Sequence, residues 1–287
     1  MKIRIGTRKS SLALAQTDMV IKSLHDAFPD IETEIVHITT KGDKILDKPL
    51  ARIGGKGVFV SEIESLLRKG EIDIAVHSAK DLPYKLAENL EISGVLKRGN
   101  YRDVLVTPAD KVPEKDSKFT VGTGSQRRRL NMQRLYPNAV FDDIRGNVDT
   151  RLRKLKSGEF DGIVLAAAGL ERLGLYGSEE FSFTAFDSED FLPAACQGII
   201  AVESRKGDKI SNIINQISDK KTFYAFETER RIPELLGADC TMPVGAYAEI
   251  VGEKTCLTAS KNCKKILSAE AKISDRFRLA EELVSKL

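Results

Sequence analysis

A short apolar run near residue 75 ends in a cluster of polar side chains that could handle protons or charge. Ile72 to Val76 is branched and largely apolar, which predicts a strand buried on both faces. His77-Ser78-Ala79-Lys80-Asp81 follows directly. Open α/β sheets place their ligand sites at the carboxyl ends of such strands. Two interpretations stand: a surface turn with an ion pair, or a site in which Asp81 handles protons or a cationic substrate while Lys80 and Ser78 position it.

Arginine recurs at three predicted strand ends, each beside hydroxyl or glycine residues at the start of a predicted helix. The three segments are Thr7-Arg8-Lys9-Ser10, Thr123-Gly124-Ser125-Gln126-Arg127-Arg128-Arg129 and Arg145-Gly146-Asn147-Val148-Asp149-Thr150-Arg151. Backbone N–H groups at a helix N-terminus favour anions, and a guanidinium matches a carboxylate or phosphate with paired hydrogen bonds. One such turn is weak support for a site. Three of them, together with Lys56 and Arg52, predict a polyanionic ligand.

Nucleic acid is the alternative ligand for the run Arg127-Arg128-Arg129, and a solvated helix face is the third interpretation. A nucleic-acid site usually adds stacking aromatic residues or a larger basic excess. The chain has no tryptophan and a formal net charge of +3. A small organic polycarboxylate fits better, so we expect no nucleic-acid partner.

Cys240 stands in a shaped loop, Gly237-Ala238-Asp239-Cys240-Thr241-Met242-Pro243-Val244-Gly245, between a predicted helix and a predicted strand. Most loop cysteines have no chemical role. An exposed thiolate on such a loop can nonetheless act as a nucleophile or as an attachment point.

The composition limits the class of protein. With 287 residues, 41% hydrophobic and 30% charged, the chain suits two or three globular domains. Four cysteines without CxxC spacing favour reduced thiols, and three histidines without metal-ligand spacing predict no protein-bound metal. The first residues enter a strand without an apolar leader, and no apolar run could span a bilayer. We therefore expect a cytoplasmic location and no membrane partner.

Strands alternate with helices twice along the chain, around a polar linker near residues 97–118, and predict two similar α/β lobes with a cleft between them. The predicted strands are 3–5, 31–39, 72–76, 91–96, 103–107, 119–122, 139–144, 162–168 and 198–203. The predicted helices are 11–28, 58–68, 126–135, 147–156 and 211–236. The last part differs, because three consecutive strands within 244–273 and a terminal helix from Arg276 predict a small α+β domain.

The segment Gly54-Gly55-Lys56-Gly57 suggests a P-loop, but the GxxxxGK[ST] spacing is absent. Three glycines within four residues instead predict a mobile, lysine-tipped loop.

These motifs together resemble the porphobilinogen deaminase family, also called hydroxymethylbilane synthases, over nearly the whole chain. The three arginine segments match as Thr7 to Leu14, Val121 to Arg128 and Arg145 to Arg151. The other matching stretches are Gly54 to Phe59, Ala75 to Pro83, Leu165 to Leu170, Leu192 to Gly198 and the loop around Cys240. No single stretch is specific, but their number and order are.

The resemblance implies an α/β fold with two periplasmic-binding-protein-like α/β lobes plus a small α+β C-terminal domain. The boundaries would be 1–97 with 198–216 for the first domain, 98–197 for the second and 217–287 for the third. It also implies a dipyrromethane cofactor joined by a thioether to Cys240. Such an enzyme deaminates porphobilinogen, joins four units head to tail onto the cofactor and releases hydroxymethylbilane by hydrolysis. A monomer is the family expectation.

The resemblance also assigns residues, position by position. Asp81 would be the catalytic carboxylate that stabilises the cationic azafulvene formed as ammonia leaves. Besides Cys240, the residues expected to bind the cofactor are Ser78, Lys80, Thr123, Ser125, Arg127, Arg128, Arg145 and Gly146. The residues expected to bind the substrate are Arg8, Ser10, Gln16, Lys56, Asn147, Arg151 and Gln197, with Lys56 in the mobile loop and Gln197 near the interdomain hinge.

Three positions depart from the family pattern. Cys196 stands where glycine is common, Gln126 replaces a usually apolar residue, and Arg52 stands where lysine is frequent. None removes an expected catalytic position. The competing functional class is a non-enzymatic, two-lobed binding protein for a small polycarboxylate, and Cys240 argues against it.

Overall fold

The computed structural model describes residues 1–40, 60–238 and 242–287. Chain contacts divide it into two compact units, the first comprising Met1–Gly99 with Ile199–Glu227 and the second Asn100–Gly198 with Thr228–Leu287. The predicted third domain is not separated as a unit of its own, because its residues from Thr228 onward belong to the second unit. The three domain boundaries expected from the family remain a prediction.

The first unit is built on a five-stranded mixed sheet in the order β2-β1-β3-β10-β4. Its strands are β1 (Lys2–Arg8), β2 (Glu32–Ile38), β3 (Ile74–Ser78), β4 (Leu90–Val95) and β10 (Ile200–Arg205). β2 and β3 run parallel to β1 on either side of it, whereas β10 is antiparallel to both β3 and β4.

Helices cover both faces of this sheet. They are α1 (Ser11–Ala27), α2 (Ser61–Lys69) and α6 (Lys209–Gln216), and α7 (Lys220–Leu235) follows. Val20 of α1 and Ile214 of α6 pack with Ile74 and Val76 of β3. Ile63 of α2 packs with Ala75 in a separate cluster. Because side chains alternate along a strand, α1 and α6 lie on one face and α2 on the other.

The second unit contains a five-stranded sheet in the order β7-β6-β8-β5-β9. Its strands are β5 (Asp103–Pro108), β6 (Thr120–Gly122), β7 (Val140–Asp142), β8 (Gly162–Ala166) and β9 (Phe181–Ala185). β7 and β8 run parallel to β6, and β5 is antiparallel to β8 and β9. Three helices, α3 (Gln126–Leu135), α4 (Val148–Lys156) and α5 (Ala167–Arg172), connect the parallel strands or follow the last of them.

The two sheets share one topology. In each sheet, three parallel strands come first, in the order β2-β1-β3 or β7-β6-β8. An antiparallel strand, β10 or β5, comes next, and β4 or β9 forms the other edge. The prediction of an α/β fold with two similar lobes is confirmed. The second unit also carries the antiparallel sheet β11 (Gly245–Val251), β12 (Lys254–Ser260) and β13 (Leu267–Lys272), followed by α8 (Arg276–Val284), which confirms the small α+β part.

Several predicted boundaries were wrong. The predicted strand 72–76 lies at Ile74–Ser78, because β10 pairs with β3 up to Ser78. The predicted strand 162–168 ends at Ala166, where α5 begins. The predicted helix 211–236 is two helices, because Asp219 accepts a hydrogen bond from the Thr222 N–H (2.8 Å) and starts a new one.

One strand was missed. Phe181–Ala185, with the sequence Phe-Ser-Phe-Thr-Ala, alternates apolar and polar residues and pairs with β5 as β9. This alternation with a period of two is typical of a half-buried strand and could have predicted β9. Within the described residues, no helix is long and apolar enough to cross a membrane.

Candidate active site

The polar turn after β3 carries the predicted catalytic carboxylate. Ala79–Asp81 forms one turn of 3₁₀ helix immediately after Ser78. The Ala79 N–H donates to the Ile199 carbonyl (3.0 Å), which ties the turn to the residue before β10. Lys80 is half-buried, while Asp81 is exposed. Asp81 therefore sits at the carboxyl end of a buried strand, on a turn whose backbone is anchored.

Gln16 of α1 supports the same turn from the α1 face of the sheet. Its side chain is buried, and its amide pairs with the Ser78 hydroxyl, with Nε2 and Oε1 at 2.9 and 3.1 Å from Oγ. Parallel pairing of β1 with β3 brings Arg8, the last residue of β1, to the same sheet edge. Ser10 caps α1 by accepting from the Ala13 N–H (3.3 Å). Six predicted site residues of the first unit thus lie at or near the carboxyl ends of β1 and β3: Arg8, Ser10, Gln16, Ser78, Lys80 and Asp81.

In the second unit, two of the predicted arginines share one buried carboxylate. Arg127 Nη1 lies 2.8 Å from Asp103 Oδ2, and Arg128 Nη2 lies 2.8 Å from Asp103 Oδ1. Arg127 also donates to the Leu192 carbonyl and Arg128 to the Val164 carbonyl, each at 2.7 Å. All three charged side chains are buried. The cluster carries a net charge of +1, which favours an anion nearby.

The turn before α3 is held in place from several sides. Ser125 caps the helix by accepting from the Arg128 N–H (3.4 Å), and the Thr123 hydroxyl accepts from the Ser125 N–H (3.3 Å). Arg129 donates to the Thr123 carbonyl through Nε and Nη2, both at 3.1 Å. Gln126 is exposed at the start of α3, so a polar residue fits the position where the family has an apolar one.

The segment after β7 repeats this arrangement. Asn147 caps α4 by accepting from the Thr150 N–H (2.9 Å), and Arg151 Nε donates to the Gly146 carbonyl (2.8 Å). Gly146 has a φ of +110°, and a Cβ there would lie 2.6 Å from Thr150 Cγ2. Glycine is required at this position for both reasons. Because β7 and β6 are parallel neighbours, this turn and the one before α3 meet at the same sheet edge.

Arg145 differs from the other arginines of this edge. Its half-buried side chain has neither a hydrogen bond nor an ion pair with any of the described residues. A half-buried guanidinium in this state can accept an incoming carboxylate without first giving up a partner.

Gln197 lies inside the second unit. Its side chain is fully buried, and Nε2 donates to the Tyr101 carbonyl (2.8 Å), so it joins the two chain segments at the unit boundary. Its predicted position near the interdomain hinge and its predicted contact with substrate both remain predictions. Its neighbour Cys196 has a φ of +64°. That left-handed backbone gives a physical reason for the glycine common in the family.

Arg172 at the end of α5 was missed by the sequence reasoning. It is half-buried and Nη2 donates to the Gly198 carbonyl (2.6 Å). Burial lowers the pKa of the Arg172 guanidinium to about 10, while Glu171 acts in the opposite direction. Within the described residues no carboxylate forms an ion pair with it. The signal was weak, because Arg172 ends the short helix Ala167–Arg172, whereas the arginines of the three predicted segments lie at strand ends or near helix starts.

Two predicted residues, Lys56 and Cys240, lie outside the described residues, as does Arg52. The elements that flank Cys240 are described: α7 ends at Leu235 and β11 begins at Gly245. In the described part of the chain, no three His, Cys, Asp or Glu side chains form a group that could hold a metal ion.

The family model and the curated relatives that match this chain agree on one family. A model described as porphobilinogen deaminase, dipyromethane cofactor binding domain, matches residues 3–212. The porphobilinogen deaminase of Acetivibrio thermocellus is 46% identical over 258 residues, covering 90% of this chain and 87% of that protein. The one from Streptococcus sanguinis is 38% identical and covers 99% of this chain and 95% of its own. Among solved structures, the periplasmic VFT2 domain of Bordetella pertussis BvgS aligns with a TM-score of 0.44 at 18% identity, covering 75% of this chain and 86% of that one. The chain belongs to the porphobilinogen deaminase family, enzymes of tetrapyrrole biosynthesis that have a dipyrromethane cofactor domain.

Proposed function

We propose that this chain deaminates porphobilinogen, joins four units head to tail onto a dipyrromethane attached to Cys240, and releases hydroxymethylbilane by hydrolysis. The observation that supports this most is the set of arginines and capped helix starts along one edge of the second sheet. Each pyrrole of the product carries an acetate and a propionate, so the growing chain is a polyanion that such an edge suits.

The residues of the second unit fit a cofactor rich in carboxylates. Arg145 has no partner among the described residues, the cluster of Arg127, Arg128 and Asp103 carries a net +1, and Ser125 and Asn147 begin helices there. When bound, the dipyrromethane supplies the pyrrole carbon to which the first unit is joined. In this proposal Thr123, Ser125, Gly146 and the three arginines hold the cofactor, and Asn147 and Arg151 hold substrate carboxylates.

Asp81 performs the charge chemistry in this proposal. As ammonia leaves porphobilinogen, positive charge develops on the substrate, and a fixed carboxylate beside it lowers the barrier. Its anchored turn means that little reorganisation is needed when the charge appears. Lys80 and Ser78 orient the pyrrole carboxylates, with Arg8, Ser10 and Gln16 beside them. Lys56 and Gln197 complete the substrate set. We propose that the enzyme acts as a cytoplasmic monomer.

The intact mass of the purified protein tests the cofactor assignment. The wild-type chain should be heavier than its sequence by one dipyrromethane, and Cys240→Ser should lose both that mass and activity. Cys256→Ser, a substitution of a half-buried strand residue, is the matched control and should keep both. An active preparation with the bare polypeptide mass would contradict the proposal, as would an adduct that survives Cys240→Ser. The two-lobed binding protein predicts the bare mass and no consumption of porphobilinogen.

A further inference from the structure

A buried histidine–glutamate pair lies directly before the proposed catalytic turn and has no part in the chemistry above. His77 Nε2 is 2.9 Å from Glu203 Oε2. The side chains are 6% and 0% exposed, respectively. The pair therefore sits inside the first unit, within four residues of Asp81.

The pair joins the two strands that carry the turn. His77 is in β3 and faces Ala201 across the ladder, while Glu203, in β10, faces Ala75. β10 also anchors the turn through its preceding residue, because the Ala79 N–H donates to Ile199. On the opposite face of β3, Ser78 pairs with Gln16. Consecutive residues of β3 are thus clamped by side chains from both faces of the sheet.

Glu203 depends on His77 for its hydrogen bonding. Glu203 Oε1 is buried and has no hydrogen-bond partner among the described residues. An ionised carboxylate only accepts, so the His77 Nε2–H is the one side-chain donor recorded for it. Removing the donor would leave the buried Glu203 carboxylate without a hydrogen-bond partner, which lowers the stability of the fold. β10 would have to shift to bring another donor to Glu203.

Within the described part of the first unit, the helix α2 brings charged side chains near the pair. Glu64, in the first turns of α2, interacts electrostatically with both Glu203 and His77, and Arg68 acts on Glu64 from the last turn. Glu64 itself accepts from the Ala87 N–H (3.0 Å). Among the described residues, α2 therefore brings one carboxylate, Glu64, and one cation, Arg68, to the neighbourhood of the pair.

We propose that His77 is a positioning residue for the reaction: its Nε2–H, donated to Glu203, fixes the end of β3 against β10 and so holds Asp81 in its working place. The inference rests on the proposed role of Asp81. A small misplacement of a catalytic group costs about 10²-fold in rate, so the pair matters for turnover more than for substrate affinity.

Two substitutions in the holoenzyme separate donation from mere packing. His77→Gln places an amide N–H₂ near the position of Nε2, so kcat should stay within about fivefold of wild type. His77→Leu removes the donor, and kcat should fall about 10- to 100-fold. The KM for porphobilinogen and the dipyrromethane mass should be unchanged in both. His37→Leu, at an exposed β2 position, is the control and should match wild type.

Equal kcat in wild type and His77→Leu would overturn the proposal, and so would equal losses in the Leu and Gln variants. Should His77→Leu fail to fold, His77→Asn takes its place, because its shorter amide does not reach Glu203. Nitrogen-15 NMR of the wild-type histidine side chains gives a readout independent of turnover. A proton on Nε2 of His77 at neutral pH supports the pair, and an unprotonated Nε2 contradicts it. Failure of the wild-type protein to consume porphobilinogen would instead count against the proposed function.

Discussion

Four arginine side chains of the second unit fall into two groups by what they contact. Arg127 and Arg128 are buried and share Asp103. Arg145 has no partner among the described residues. Arg172 donates to the Gly198 carbonyl and forms no ion pair with a carboxylate of the described residues. Arg127 and Arg128 therefore stabilise the local structure as well as contributing positive charge. Arg145 and Arg172 have more of their hydrogen-bonding capacity available for a ligand.

Replacing Arg145 should weaken binding of the pyrrole chain. Arg145→Ala removes charge-assisted hydrogen bonds worth about 1.5–3 kcal/mol, so the KM for porphobilinogen should rise about 10- to 100-fold. Elongation intermediates resolved on native gels should also change in distribution. Arg153→Ala, an exposed arginine of α4, is the control and should leave both unchanged. An unaltered intermediate pattern in Arg145→Ala would refute its role in carboxylate binding.

The sequence predicted most of the arginines that belong to the candidate site, but it did not predict the side chains that they contact. Segments with arginine at strand ends were found because their local pattern repeats, and three of them do begin helices with a Ser or Asn cap. The sequence did not predict that Arg127 and Arg128 bind Asp103. Asp103 lies in β5, which is distant from the two arginines in sequence and is brought close to them only by the pairing of the sheet. Arg172 was missed because its helix, Ala167–Arg172, was interpreted as the continuation of a strand.

At the scale of elements, the start of α4 depends on one glycine. Gly146 combines a φ of +110° with crowding by Thr150. Gly146→Ala should lower the free energy of unfolding by about 1–3 kcal/mol. Gly158→Ala, at a φ of +79° with open space around it, isolates the backbone contribution and should cost less. Denaturant unfolding measures both. Equal costs in the two variants would show that contact with Thr150 is unimportant.

An ion-pair network fixes the amino end of β3. Asp73 Oδ1 lies 2.8 Å from Arg4 Nη2 and 3.4 Å from Arg205 Nη2. Burial alone would raise the pKa of Asp73, but hydrogen bonds from Arg4 and Arg205 outweigh it and hold the pKa below the ordinary value of 3.8.

The sign of this shift gives a prediction about acid stability. A lowered folded-state pKa stabilises the protein above the ordinary value, and this stabilisation is lost as pH falls through the folded pKa. Between about pH 5 and pH 3, wild type should therefore lose more unfolding free energy than Asp73→Asn. The exposed Asp187→Asn is the control and should follow wild type. Parallel losses in wild type and Asp73→Asn would contradict the network's contribution.

Element types were predicted better than element ends. Buried strands such as β3, β5 and β8 were recognised from branched apolar runs, and their ends moved by one or two residues because partner strands decide where pairing stops. The split between α6 and α7 depends on one cap, Asp219, in a stretch whose apolar pattern continues through it. The antiparallel direction of β5 and β10 was not predictable, since each is separated by a crossover from the strands that it joins.

At the scale of the whole molecule, the chain contains two five-stranded sheets with the same strand order. In each sheet, functional groups lie at the carboxyl ends of the parallel strands. The first sheet presents Ser78 and Asp81, and the second presents the arginine turns before α3 and α4. Repetition of the βα pattern predicted this duplication, and membership of the porphobilinogen deaminase family gives it a reaction. The proposal of Cys240 as the attachment point comes from the family resemblance and from its position in a loop shaped by proline and glycine.

The rate of porphobilinogen consumption by Asp81→Ala tests the central claim most directly, because that claim assigns the charge chemistry to one carboxylate. The variant should have a thermal midpoint close to wild type, since Asp81 is exposed on its turn. Its turnover should fall by about 10²- to 10³-fold or more. A folded Asp81→Ala protein that consumes porphobilinogen at nearly the wild-type rate would contradict the account.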